Sequence, residues 1–401
     1  MTISRRLFLV FLLAVSIIPF SAAADPAPGG KYLLYIGTYT DKDSKGIYVY
    51  RYDAASGELN PLGIATLTTN PSFLAVHPNG KFLYAVNEMQ NYKGAATGAI
   101  SAYSIDRHTG RLTLLNETAS RGADPCYISF DRSGKFALVA NYTGGTVAVF
   151  PLSPDGKIGE ASSVVKDAGT PGPNKERQDA PHAHWIEVSE RNRYAYVADL
   201  GLDRVLIYNF DAAKGELTSA GSAPDAKQAA RNANDFFSAE TAAGTGPRHV
   251  AFSRDGKFMY VLGELDSTVT VFSNDGKEKY RSIQKISALP AGFSAPNDAA
   301  EIAMHPSGKF LYTSNRGNDS IAVFTVDQKS GKLSLAGNAP TQGKTPRHFE
   351  IDPTGTRLFA ANQESGTVVV LAIDAASGKL TPTSQTFKVP SPVCLKFVKV
   401  E

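Results

Sequence analysis

HPNGKFLYAVNE (77–88), DRSGKFALVANY (131–142), SRDGKFMYVLGE (253–264) and HPSGKFLYTSNR (305–316) are four copies of one unit, a Gly turn running into an aromatic-rich strand. SERNRYAYVADL (189–200) and DPTGTRLFAANQ (352–363) are weaker copies. A seventh, GGKYLLYIGT (29–38), lacks the strand that precedes the turn in the others. That strand stands at the far end of the chain, where SPVCLKFVKV (391–400) reads like NPSFLAVHP (70–78). From Gly80 to Gly355 five repeats span 275 residues, a mean period of 55. A period near 50 with several short strands in each unit predicts a β-propeller. Each unit also carries a second hairpin signal, as in YRYDAASGELN (50–60), YNFDAAKGELT (208–218) and LAIDAASGKLT (371–381). There an Asp and a following Gly supply the turn between two alternating strands. The predicted fold is all-β, a seven-bladed β-propeller with four-stranded blades, the first blade closed by the C-terminal strand. One blade cannot bury both faces alone, so residues 31–401 are read as a single domain despite the length.

Residues 1–24 stand apart. Arg5 and Arg6 precede an apolar stretch from Leu7 to Phe20, and Ala22 to Ala24 supply small residues for cleavage. The stretch is short for a membrane span and reads as a signal peptide, twin-arginine-like in Ser4-Arg5-Arg6-Leu7-Phe8-Leu9, with the general secretory route as the alternative. A periplasmic or secreted protein, with no membrane attachment after signal removal, is expected. The formal net charge of +3 falls to +1 without Arg5 and Arg6, which points to no nucleic acid and no anionic surface as partner. Cys126 and Cys394 fall on non-adjacent blades and are expected to be buried free thiols.

The blade wiring puts the start of each innermost strand and the end of the next strand on one face of the disc. The long segments Glu88 to Gly98, Lys166 to Pro181, Ser222 to Gly246 and Ile286 to Asn297 should emerge there, and long loops on a rigid scaffold are where binding and catalysis concentrate. Aligning the repeats gives two rings around that mouth. The inner-strand ring is Val393, Ser72, Cys126, His184, Arg248, Ala300 and Arg347. The second-strand ring is Thr38, Glu88, Tyr142, Leu200, Glu264, Arg316 and Gln363. His184, Arg248, Glu264, Arg316 and Arg347 should therefore converge on one side, with Glu88 on the other. His249 and His348 follow two of the arginines, and His182 precedes His184 by two. Strand-end Arg and Glu can simply close a channel, and His182, His184 and Asp179 could hold a metal; no metal and no cofactor is expected. Asn87, Asn141, Asn315 and Asn362 read as turn-formers. The mouth is expected to be solvated.

Asp-Ala-Pro-His-Ala-His (179–184), Gly-Thr-Gly-Pro-Arg-His (244–249), Gly-Glu (263–264), Ser-Asn-Arg-Gly-Asn-Asp-Ser-Ile (314–321) and Pro-Arg-His-Phe (346–349) resemble the lactonase-type seven-bladed propellers. That family includes propeller 6-phosphogluconolactonases and carboxy-cis,cis-muconate cyclases, and the likeness runs from about Lys31 to Val400. Carried over, the family's active-site residues fall on His184, Arg248, Glu264 and Arg316. The resemblance implies an enzyme, a carboxylic ester hydrolase opening a sugar-derived, anionic small-molecule lactone in carbohydrate metabolism, here as a monomer. Hydrolysis needs a base to activate water and charge to stabilise the oxyanion. Glu264 or His184 would be the base, Arg248 and Arg316 the clamps, and His182, His249 and Arg347 substrate-binding residues. A lactonising cyclase, a non-catalytic binding propeller of the cell envelope and a metal-dependent lactonase are the alternatives.

Overall fold

Seven antiparallel sheets stand around a central axis, six of them with their first strand in chain order innermost. The structure, a computed structural model, describes residues 29–219, 238–274, 276 and 279–400, and no helix occurs among them. Blade two is representative, running outward through Pro71–Val76, Phe82–Asn87, Ala99–Ile105 and Leu112–Ala119. Blade one takes its innermost strand, Pro392–Lys399, from the C-terminus, paired with Lys31–Thr38 from Tyr32↔Lys399 to Thr38↔Pro392. The two ends of the ring are thus hydrogen-bonded neighbours, with the Val400 amide donating to the Lys31 carbonyl at 2.9 Å. The predicted ring closure holds, and Cys126 and Cys394 are buried and free.

The repeated residues explain the repeated geometry. In the outer hairpins Asp53 Oδ1 accepts from the amides of Ala55 and Ser56, and the Gly57 amide closes back on the Asp53 carbonyl at 2.7 Å. Gly57 has φ +79°, where a Cβ would be strained. Neighbouring blades are then latched by tyrosines of the second strand. Tyr35 donates to the Gly110 carbonyl, Tyr84 to Gly156 and Tyr312 to Gly378, each in the next blade's outer turn. These rings are themselves fully buried, so one residue supplies both apolar area and a satisfied polar tip.

Blade four departs from the pattern. Its outermost strand is in two pieces, Glu216–Ser219 and Ser238–Glu240, which pair with consecutive stretches of Arg204–Asp211. Of the expected long mouth segment 222–246, the described part begins at Ser238. Residues 222–237 lie outside the described residues, and 238–240 belong to the sheet. Only 241–246 cross to blade five at the mouth. The signal segment 1–24 also lies outside the described residues.

The aligned asparagines turn out to be tethers. The Nδ2 groups of Asn141, Asn315 and Asn362 donate to the carbonyls of Ser120, Ala288 and Thr341, pinning each incoming crossover. In blade four the same position is Asp199, which accepts from the amides of His182 and Leu202. Its other oxygen faces Asp167, whose Oδ1 accepts from the Tyr208 hydroxyl at 2.6 Å. Asp167 Oδ2 and Asp199 Oδ2 have no other partner among the described residues, and both side chains are buried. Burial first, and then the charge of Asp199, raises the Asp167 carboxyl well above its ordinary range, which favours one proton held by the pair.

Candidate active site

One local device builds the mouth. At the top of each innermost strand the pairing slips by a residue, and the extra residue is the ring position expected from the repeats: Ser72, Cys126, His184, Arg248, Arg347 and Val393. A bulge opposes two residues to one and re-aims side chains. Here it lets consecutive residues, Arg248 with His249 and Arg347 with His348, both reach one axial cavity. Blade six carries a two-residue irregularity, Ala300 and Glu301, and the residue that lines the cavity is Glu301. Ala300, the expected member, instead offers its carbonyl to Arg248 Nη1.

The second ring needs one correction. In blade one the residue tied back to the start of the inner strand is Tyr39, whose amide donates to Ser391, as Glu88, Tyr142, Glu264 and Gln363 donate to Asn70, Asp124, Gly246 and Thr345. Thr38 sits one place earlier, buried and bonded to Ser44 and the Gly46 carbonyl. The repeat alignment was off by one there, because the blade is assembled from both ends of the chain.

His184, Arg248, Glu264 and Arg316 come together. Glu264 is the hub. Arg248 Nε lies 2.8 Å from Oε2, Arg316 Nη2 lies 3.2 Å from Oε1, and His184 Nε2 lies 3.9 Å from Oε2. A third guanidinium, Arg177, hydrogen-bonds Oε1 through Nη2. Repeat logic missed Arg177, since it belongs to the crossover between blades three and four; the only sequence signal was the length of that segment. Although close, the Arg248 Nε–H is not aimed at Oε2, which has no hydrogen bond among the described residues. Arg316 is anchored through the carbonyls of Asp298 and Ala299. The cluster is not solvated as expected: the Glu264 side chain is 4% exposed.

Charge follows from burial and neighbours. Burial alone would raise Glu264, but Arg316 and Arg248, with Arg177, outweigh it and hold the carboxyl well below its usual range. Burial lowers His184 most, and the charge of Arg248 adds to this, so its imidazole is neutral at pH 7 with Nδ1 unpartnered among the described residues. Burial, and then Arg316, brings Arg248 down to about 10.

The other residues are distributed around this hub. Arg347 lies across the cavity, stacked over the Tyr39 ring at 5.3 Å, while the Tyr39 hydroxyl is 2.9 Å from both oxygens of Glu88. Glu88 is thus no bystander, since it lines the same cavity as Arg248 and Arg347. His249 lies one layer deeper, Nδ1 3.1 Å from Glu301, whose other oxygen is 3.4 Å from His348 Nε2. Burial opposes the Glu301 charge, but His249 and His348 bring it to about 2, and burial lowers His348 to about 3. Phe73 packs edge-on against both imidazoles and lines the same cavity. His182 is turned aside, with Nδ1 3.1 Å from the Tyr142 carbonyl, Nε2 3.0 Å from Asp179, and its ring stacked on Tyr142. The axial cavity is about 10 Å³, room for about one water molecule. Among the described residues no group of three or more His, Cys, Asp or Glu side chains is disposed to hold a metal ion.

Seven four-stranded blades around an arginine-rich mouth define a lactonase-type propeller. The chain belongs to the family described as "Lactonase, 7-bladed beta-propeller", which it matches over residues 33–397. It is 37% identical to the 6-phosphogluconolactonase of Bacillus subtilis over 369 residues, 92% of this chain and 99% of that one. It is 34% identical to the 6-phosphogluconolactonase of Formosa agariphila, over 80% of this chain and 86% of the relative. Among solved structures, the periplasmic gluconolactonase of Pseudomonas aeruginosa superposes with a TM-score of 0.83 at 34% identity, over 92% of this chain and all of that one.

Proposed function

We propose that the chain is an exported lactone hydrolase that opens a sugar-derived lactone with water activated by His184. The observation that carries this reading is the pairing at the hub. Glu264 is held as a carboxylate of low basicity by three guanidiniums, while His184 beside it is a neutral imidazole. Of the two candidate bases, His184 is the one able to take a proton. In this scheme His184 Nε2 accepts a proton from water as the water oxygen attacks the lactone carbonyl carbon. The Glu264 carboxylate stabilises the imidazolium that forms. Arg248 and Arg316 offer charge-assisted donors to the carbonyl oxygen as it becomes an oxyanion. The ring C–O bond then breaks, and the departing alkoxide recovers the proton from His184. No covalent intermediate and no metal is needed.

Arg347, with His249 beneath the mouth, would bind substrate hydroxyls or an anionic substituent, and His182 would act indirectly by fixing Tyr142 against His184. Export rests on the signal-like residues 1–24 and agrees with the periplasmic relative. The protein is proposed to work as a monomer. The test is turnover of unphosphorylated and 6-phosphorylated aldonolactones above their spontaneous rates. His184→Ala should reduce kcat by about a hundredfold or more. A protein that leaves hydrolysis at the spontaneous rate is a binding propeller, and the reading fails.

A further inference from the structure

Arg177 differs from the other guanidiniums of the hub in how it is held. Arg248 and Arg316 stand on blade strands and are anchored by carbonyls, with side chains 4% and 13% exposed. Arg177 comes from the crossover between Ser163–Lys166 and Ala183–Val188, is 35% exposed, and reaches over the mouth to Glu264 with Asp298 3.8 Å from Nη1. Its backbone is fixed. Asn174 accepts from the Arg177 and Gln178 amides, and buried Gln178 bonds both the Asn174 amide and the Leu200 carbonyl. Gly172 packs so closely on Gln178 that a Cβ there would come within 2.4 Å. The side chain can therefore swing while the loop stays.

Energetics decide which guanidinium moves. If Arg177 leaves, Glu264 keeps Arg316 and Arg248 and is not stranded. If Arg248 left, a buried cation and a buried anion would both lose a partner, which costs several kcal/mol. Arg177, 35% exposed, can meet water or another anion as it leaves, which the buried Arg248 cannot. Arg177 does not line the axial cavity, and on the nearly buried Glu264 its guanidinium is the most exposed of the three and so the one most open to an incoming anion.

We propose that Arg177 is a substrate-operated latch: its guanidinium leaves Glu264 for an oxyanion substituent of the lactone, phosphate or carboxylate, so that the substrate's own charge frees Oε1 of Glu264. This rests on the lactonase reading and adds the residue that recognises the substrate's charge. An arginine fork suits either oxyanion, because two parallel N–H donors meet two oxygens. A neutral lactone lacks the group that would hold Arg177 away from Glu264.

The experiment compares kcat/KM for a 6-phosphorylated aldonolactone, a carboxylate-bearing lactone and an unphosphorylated neutral one, in the wild-type protein and in Arg177→Gln. The ratio of anionic to neutral kcat/KM should fall at least tenfold in the variant, mostly through KM, and Arg177→Lys should restore part of it. Whichever anionic lactone loses more identifies phosphate or carboxylate. An unchanged ratio overturns the latch. Calorimetric binding of inorganic phosphate gives an independent reading, with Kd expected to rise at least tenfold in Arg177→Gln. Equal binding, or none to wild type, also overturns it. Wild-type turnover of any lactone reports separately on the hydrolase reading, so the two failures are distinguishable.

Discussion

On the proposed mechanism, the three guanidiniums on one carboxylate make Glu264 an electrostatic anchor rather than a proton acceptor, with consequences for both pH and stability. A base works only when unprotonated, so activity should be lost as pH falls through the His184 value. That value is depressed, so kcat/KM should stay flat through pH 6.5 and fall only in more acid solution. A pH–rate profile with its acid limb at or above pH 6.5 would exclude His184 as the base. Glu264→Gln leaves buried cations without their counter-charge and should cost about 3–5 kcal/mol of stability along with activity, read from denaturant unfolding. Asp167 gives a second pH effect of known sign. Its folded-state carboxyl is raised, so the folded protein holds a proton that the unfolded chain releases above about pH 4. Stability on this account falls as pH rises from there to the folded value. Asp167→Asn can still accept from Tyr208 and would donate to Asp199, so melting temperatures between pH 4.5 and 8.5 should vary less in the variant than in wild type. Parallel curves would mean the two carboxyls do not share a proton.

At the level of strands and loops, the repeats were legible because each carries its own chemistry. Gly turns, alternating apolar residues and Asp-capped hairpins recur wherever a blade recurs, and four hub residues followed from position within the repeat. What the repeats could not convey lies where the pattern breaks. Arg177 sits in a crossover with no counterpart elsewhere, and its reach depends on how Asn174 and Gln178 fold that segment. Tyr39 was hidden by a one-residue slip in the blade assembled from two ends. Glu301 was hidden because a bulge, not alternation, decides which of two consecutive residues faces the axis. The two-piece outer strand of blade four is likewise invisible to a pattern of turns. Glu301 now carries its own test. Glu301→Gln removes the charge shared by His249 and His348, beneath Arg248. We expect a loss of about 1–3 kcal/mol, as for a buried hydrogen-bonding group left poorly matched, with the lactone KM affected less than kcat. Unchanged unfolding would show that the deeper layer is independent of the mouth.

For the whole molecule the closure of blade one dominates. Deleting residues 391–401 removes an innermost strand, uncovers the sheet edge at Lys31–Thr38 and the apolar surface beside Phe359 and Phe73, and should give aggregation rather than a mild loss. A soluble truncation with wild-type melting would refute the clasp. A circular permutant that joins Val400 to Lys31 through a short linker and opens the chain at Thr69 would make every blade contiguous. It should fold, but unfold faster than wild type, because the clasp no longer holds the ring's ends together. The same clasp sets a schedule for biosynthesis. Blades two to seven are complete in chain order as the polypeptide lengthens, whereas the first blade waits for the last residues to leave the ribosome. A prematurely terminated product is an open ring with sticky edges, recognisable to proteases and chaperones, so only a full-length chain can finish as a sealed disc.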